Sequence, residues 1–268
     1  MDALLLLIQA VLIFGVAFIY SNLGLGGGLL FVPILLSTGV ADKDLAVPIS
    51  LTLTIATATS SVINHHRRGL VDFRLGGVLL AGALLGAVVG TVFTLKVLNQ
   101  ETFEAFFAAV LIVFGVYMVR DWMKNARSVD EDDDSAMTPP RVGATAAATT
   151  GSGFLSGSMG IGGGLLNVPL LVYVLGRKTR KAIGTSSLLI IPTAAVGFVA
   201  YVIDLALRPG GFAWPAEFVL IPILMPVVFV GAYVGSRWGL ETLRTRSVAL
   251  IFIIVLFIAA AKLVFDLL

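Results

Sequence analysis

Apolar stretches close to 20 residues long, separated by short polar segments, follow one another along the whole chain. That is about the length an α-helix needs to cross ~30 Å of hydrocarbon. A membrane β-strand would instead show roughly 10 residues of alternating polarity, and no such segment is present. The pattern predicts an all-α polytopic membrane protein. Each half reads as a hairpin followed by three spans. The first half has a hairpin over 3–39 and spans over 45–64, 75–95 and 102–120. The second has a hairpin over 142–176 and spans over 182–203, 216–237 and 247–265.

The halves are copies. GLGGGLLFVPILL at residues 24–36 returns as GIGGGLLNVPLLV at 160–172, with nine of thirteen positions identical at an offset of 136. Ala46, Pro48 and Ser50 stand opposite Ala182, Gly184 and Ser186 at the same offset. Gly86-Ala87 with Gly90 matches Gly231-Ala232 with Gly235 at an offset of 145, the difference fitting an enlarged loop over 204–215. These small-xxx-small pairs are expected to let neighbouring helices approach closely. The repeat divides the chain into a first unit over 1–120, an acidic linker over 121–141 and a second unit over 142–268.

Composition agrees with a membrane protein. The chain is 58% hydrophobic and 13% charged, against roughly 25% charged in soluble domains. The net charge of +2 does not point to nucleic acid, because the basic residues sit in short loops. Fourteen of the 18 Lys and Arg fall in 65–74, 120–141, 177–181 and 237–246. Placing these loops in the cytoplasm turns the loop 65–74 inward and its counterpart 204–215 outward. The two repeats are then inverted, the linker is cytoplasmic and both termini lie on the far side of the plasma membrane. The stretch 3–20 lacks a basic n-region and runs into the repeated motif, so it is expected to stay in the mature protein. With no cysteine, thiolate metal sites and disulfides are excluded. The DEDDDS run reads as a solvated connector.

The chemistry resides in the glycine clusters. The apolar runs after them, 29–37 and 165–175, are too short to span at ~1.5 Å per residue, and each reads as a half-helix in a hairpin. The start of a half-helix leaves unpaired N–H groups and partial positive charge, and glycines let a ligand come close to them. Two inverted copies would form a small-anion site near the midplane. Its candidate residues are Asn22, Gly24, Gly26, Gly27, Gly28 and Ser50 in the first half. In the second half they are Ser158, Gly160, Gly162, Gly163, Gly164, Asn167, Thr185 and Ser186. The alternative is that the glycines only pack helices, and that the hydroxyls bond their own backbone. No nucleotide loop is present, since neither cluster ends in GKS or GKT. The adjacent His65 and His66 at a helix end argue against a Ser–His protease, so no catalytic residue, metal or cofactor is expected. The expected partners are a small anion, the lipid bilayer and, at most, a second copy of the chain in a homodimer.

Four segments carry a family resemblance: the two glycine motifs, AIGTSS at 182–187 and HRRGLVDFR at 66–74. On these the chain resembles the TauE/SafE sulfite exporter family over nearly all of its length outside the linker. The resemblance implies a permease for small sulfur-containing anions such as sulfite or organosulfonates, often an exporter. One departure is clear: Pro48-Ile49-Ser50 stands where the second half has Gly184-Thr185-Ser186, so the site is asymmetric. A secondary transporter working by alternating access is the expected function, and an anion channel using the same helix dipoles is the alternative.

Overall fold

The computed structural model describes residues 3–40, 42–123, 132–208, 214–241 and 245–266. Helix α1 is Ala3–Tyr20, α2 Gly28–Ser37, α3 Lys43–His66, α4 Phe73–Val97 and α5 Gln100–Met123. The second half has α6 Pro139–Met159, α7 Gly164–Pro169, α8 Thr179–Leu207, α9 Leu220–Glu241 and α10 Thr245–Asp266. Among the described residues six helices are long and apolar enough to cross a membrane. The spans expected from sequence are all helical over their described residues, and most extend a few residues further at the ends. Local chemistry sets several of these ends. The Asp42 carboxylate accepts from the Asp44 N–H to start α3, and Asp72 accepts from Leu75 to start α4. Pro139 opens α6. Pro169 closes α7, which continues as a wide π turn over Leu170–Val174 instead of the plain half-helix expected over 165–175.

Helix α3 is buried over most of its length, and α8 packs against it. The two cross antiparallel: Ser61 meets Ser187 while Leu51 meets Gly197. Around this pair, α1 lies parallel to α9 and α6 lies parallel to α4. The outward faces carry residues such as Leu7, Val11, Leu85, Val89, Val113 and Ile223, all exposed and suited to lipid.

Close backbone approach drives the two parallel pairings. On α4, a methyl group added at Gly82, Gly86 or Gly90 would overlap the carbonyls of Ala146, Thr150 and Phe154. On α6, Gly153 and Gly157 face the carbonyls of Ala83 and Ala87 in the same way. Gly231 and Gly235 on α9 lie against the carbonyls of Phe14 and Phe18. The small-xxx-small pairs read from sequence are therefore helix contacts, packed by van der Waals attraction where lipid supplies no hydrophobic drive.

Asp133, Asp134 and Ser135 of the acidic run are exposed, and its described part is also anchored to the second half. Asp133 N–H donates to the Gly176 carbonyl at 2.8 Å and Lys178 N–H donates to Asp132 at 2.9 Å. Asp132 also pairs with Lys181 at 3.0 Å, and Asp134 with Arg177 at 2.9 Å. Arg177, largely buried, reaches Asp72 at 3.4 Å as well. The carboxylates thus meet the basic loop ahead of α8, a match that each segment alone does not disclose. Burial raises the Asp132 pKa, but the Lys178 N–H and the Lys181 and Arg177 cations outweigh it and hold the group below its usual range.

Two outcomes test these contacts. Gly86→Ala should lower stability by about 1–3 kcal/mol through overpacking. Gly77→Ala, whose added methyl meets nothing within 4 Å, should be neutral or stabilising by up to about 1 kcal/mol. Thermal melting of the two variants in detergent compares them directly. For the linker, a depressed Asp132 pKa contributes stability above the unfolded carboxylate pKa of about 3.9 that is lost as pH falls through the lower folded value. Protection from hydrogen exchange over 132–138, taken relative to the intrinsic amide rate at each pH, should therefore fall in acid, and Asp132→Asn should lower it at neutral pH.

Candidate functional site

The two glycine segments meet between α3 and α8. Gly24, Gly26 and Gly27 have φ of 67°, 78° and 90°, and their partners Gly160, Gly162 and Gly163 have 70°, 87° and 73°. A side chain at any of these would cost about 1–2 kcal/mol in the left-handed region, which is why glycine recurs at these particular positions of the motif.

Each segment is held by the opposite half. The Ser50 hydroxyl donates to the Gly160 carbonyl at 3.0 Å, and the Ser186 hydroxyl donates to the Gly24 carbonyl at 2.9 Å. The same two carbonyls lie against Gly28 and Gly164, where an added methyl would overlap them. Gly26 and Gly162 both face Thr54 and Ile190, residues that are themselves in register at the offset of 136. Ser50 is the eighth residue of α3 and Ser186 the eighth of α8. The reciprocity is therefore carried by equivalent atoms.

Past the glycines, the first helical hydrogen bonds run from Leu30 and Phe31 to the Gly27 carbonyl and from Leu166 and Asn167 to that of Gly163. The amides of Gly28, Leu29, Gly164 and Leu165 come before this first turn and have no partner within their own helix.

Polar side chains are unevenly shared between the halves. Ser158 Oγ and Asn167 Oδ1 are buried with no hydrogen-bond partner, as is Ser156 Oγ. In the first half, Asn22 spends its amide on the Phe18 carbonyl at 2.9 Å, and Phe31, in register with Asn167, packs over Gly27. Thr185 stands apart: its hydroxyl accepts the Asp72 N–H at 3.0 Å and secures the turn before α4. The structure thus brings together the eight candidate glycines with Ser50 and Ser186. It sets Ser158 and Asn167 nearby in sequence as buried polar groups, turns Asn22 to its local backbone and gives Thr185 to the backbone of Asp72 in the other half. Thr54, Ser156 and Ile190 were not among the candidates. Only the register of the repeat could have singled out the Thr54–Ile190 pair, and Ser156, in register with Tyr20, gave no signal. Among the described residues, no three His, Cys, Asp or Glu side chains gather as a metal group.

A helical bundle with lipid-suited faces and two buried, broken-helix segments defines a multi-pass membrane protein of transporter type. Residues 9–263 match the family model described as sulfite exporter TauE/SafE, and the chain belongs to that family. It is 25% identical over 270 residues to the probable membrane transporter protein YunE of Bacillus subtilis, covering 92% of each chain. It is 26% identical over 239 residues to the probable membrane transporter protein YdhB of the same species, covering 87% of this chain and 89% of that one. A probable membrane transporter protein of Xylella fastidiosa is 31% identical over 177 residues, 65% of each. No solved structure matches the chain.

The cross-half hydrogen bonds give a direct check. Ser50→Ala and Ser186→Ala should each lower stability by about 1 kcal/mol. The double variant should depart from additivity, because both bonds hold one interlocked pair of segments. Additive melting shifts would mean that the two segments are held independently.

Proposed function

We propose that the protein is a secondary transporter, working as an exporter, for a small sulfur-containing anion such as sulfite or an organosulfonate. The anion binds where the two glycine segments meet and crosses by alternating access. One observation carries this reading: equivalent hydroxyls, Ser50 and Ser186, hold equivalent carbonyls of the opposite half. A site built at a repeat interface from interrupted helices is the arrangement in which such transporters bind substrate.

We take the units 1–120 and 142–268 to be inverted repeats joined by a cytoplasmic linker over 121–141. The helix directions support this. α1 runs with α9 and α6 runs with α4, while α3 opposes α8. The basic loops then face the cytoplasm and both termini face outward.

Backbone N–H groups of α2 and α7, together with Ser158 and Asn167, are the groups assigned to the anion, and Ser50 and Ser186 position the two segments that carry them. Asn22 and Thr185 would join them only after releasing their present backbone partners. With dipoles and hydroxyls as its ligands, the site binds an anion without a fixed counter-charge, which suits repeated release. Oxygen atoms arranged around sulfur present several acceptors to these donors at once.

Flux of labelled sulfite, thiosulfate, sulfoacetate, sulfate and lactate into proteoliposomes tests the assignment. Saturable uptake restricted to sulfur anions, with counterflow, is the expected result. Current without counterflow would identify a channel, and no flux of any sulfur anion would remove the substrate assignment. In the same assay Gly163→Ala should cut flux at least about ten-fold, since its methyl must displace the Ser152 carbonyl now 2.7 Å away. Ser186→Ala should weaken binding by about 2–10-fold, because the Gly24 carbonyl it holds, and with it the first glycine segment, loses one hydrogen bond.

A further inference from the structure

We propose that His65 is the proton site of this transporter, taking up a proton together with the anion and acting on the first glycine segment through Ser61 and Ser187. The inference rests on the transporter reading above and names the ion that travels with the anion.

His65 is 1% exposed, at the interface of α3 and α8, with its Cβ against Gly184. Its Nδ1 lies 2.8 Å from the Ser61 carbonyl. A carbonyl only accepts, so Nδ1 carries the hydrogen and Nε2 is the atom left to take a second proton. The Ser61 hydroxyl lies 3.3 Å from the same Nδ1, 3.1 Å from the Ser187 hydroxyl and 3.1 Å from the Ser21 carbonyl, to which it can donate. Ser187 also donates to the Ile183 carbonyl at 3.0 Å. Three elements therefore join at the Ser61 hydroxyl beside this imidazole: the chain leaving α1, helix α3 and helix α8.

Both ends of the network grip the first glycine segment. Ser61 holds Ser21, three residues before Gly24, and Ser187 is adjacent to Ser186, which holds Gly24 itself. The second half has no equivalent. Position 201, in register with His65, is tyrosine, and position 197, in register with Ser61, is glycine. The titratable link is thus built on one side of a repeated structure, where packing alone would not demand it.

Charge gives the sign. The cations acting on His65 are Arg68, in the turn after α3, and Arg180, in the first turn of α8. From α9, Tyr233 and Ser236 face this end of α3, engaged by Arg67 and Asn64. The chain leaving α1 contributes Ser21. An imidazolium here adds a third positive charge, which a bound anion offsets, so anion and proton favour each other's binding. By linkage the anion must raise the proton affinity of His65 by the factor that the proton raises anion affinity. Proton and anion then cross together, outward when the cytoplasmic anion concentration outweighs the proton gradient.

Net sulfite uptake into proteoliposomes, with the outside acidic relative to the lumen or at equal pH, tests the proposal. The wild type should be stimulated about five-fold or more by the gradient. His65→Asn should lose that stimulation while sulfite counterflow at equal pH stays within about two-fold of wild type. His66→Asn should respond as wild type does. Retained stimulation in His65→Asn, or saturable wild-type flux indifferent to the gradient, overturns the proposal. Absence of saturable flux for every sulfur anion in the wild type instead removes the transporter reading, and this proposal with it.

Should His65→Asn fail to fold, the His66→Asn protein leaves a single imidazole, because the chain has two histidines. Its nitrogen resonances, followed from about pH 5 to 8, should show a midpoint that rises when sulfite is added. An imidazole that stays neutral throughout with sulfite present, or a midpoint unmoved by an anion that is transported, also overturns the assignment.

Discussion

Two pieces of backbone, each free of side chains at the contact, lie against one another inside the bundle, and the rest of the architecture accommodates that approach. Gly28 leaves no room for a methyl group beside the Gly160 carbonyl, nor does Gly164 beside that of Gly24. Both carbonyls then take a hydroxyl from the opposite half, Ser50 on one and Ser186 on the other. A buried carbonyl left without a donor would cost about 1–3 kcal/mol, so these serines are what allows irregular backbone to remain deep in an apolar bundle. The flanking helices repeat the device at lower cost. Gly86 and Gly90 admit α6, and Gly231 and Gly235 admit α1.

On this shared frame the halves have diverged in their polar groups. The second tip keeps Ser156, Ser158 and Asn167 buried and unengaged, whereas the first places Phe31 over Gly27. The imidazole of His65 sits on the first half's side of the α3–α8 crossing, with tyrosine in its register position. A duplicated scaffold supplies position and reciprocity, while single substitutions on one copy make the two halves chemically unlike.

Much of the fold was legible because it repeats. Nine identities in thirteen positions locate the tips, and six helices fall where the apolar stretches end. The equivalence of Ser50 and Ser186 could be read from their register, but not the atoms they hold. Their partners lie 110 and 162 residues away, and no local periodicity encodes such a contact. The acidic run was legible as a charge cluster, yet its docking on Arg177 and Lys181 depends on two distant loops meeting in space. Ser156 sits in a helix of small residues where a hydroxyl ordinarily bonds its own backbone, so its free state becomes visible only in three dimensions.

The central claim is that the paired glycine segments are where the anion binds. Hydrogen exchange of the protein in nanodiscs, with sulfite or lactate added, addresses it most directly. The account requires sulfite, but not lactate, to slow exchange over 24–30 and 160–166 together, since both tips donate to one ligand. Protection appearing elsewhere in the bundle, with these two segments unchanged by a transported anion, would contradict it.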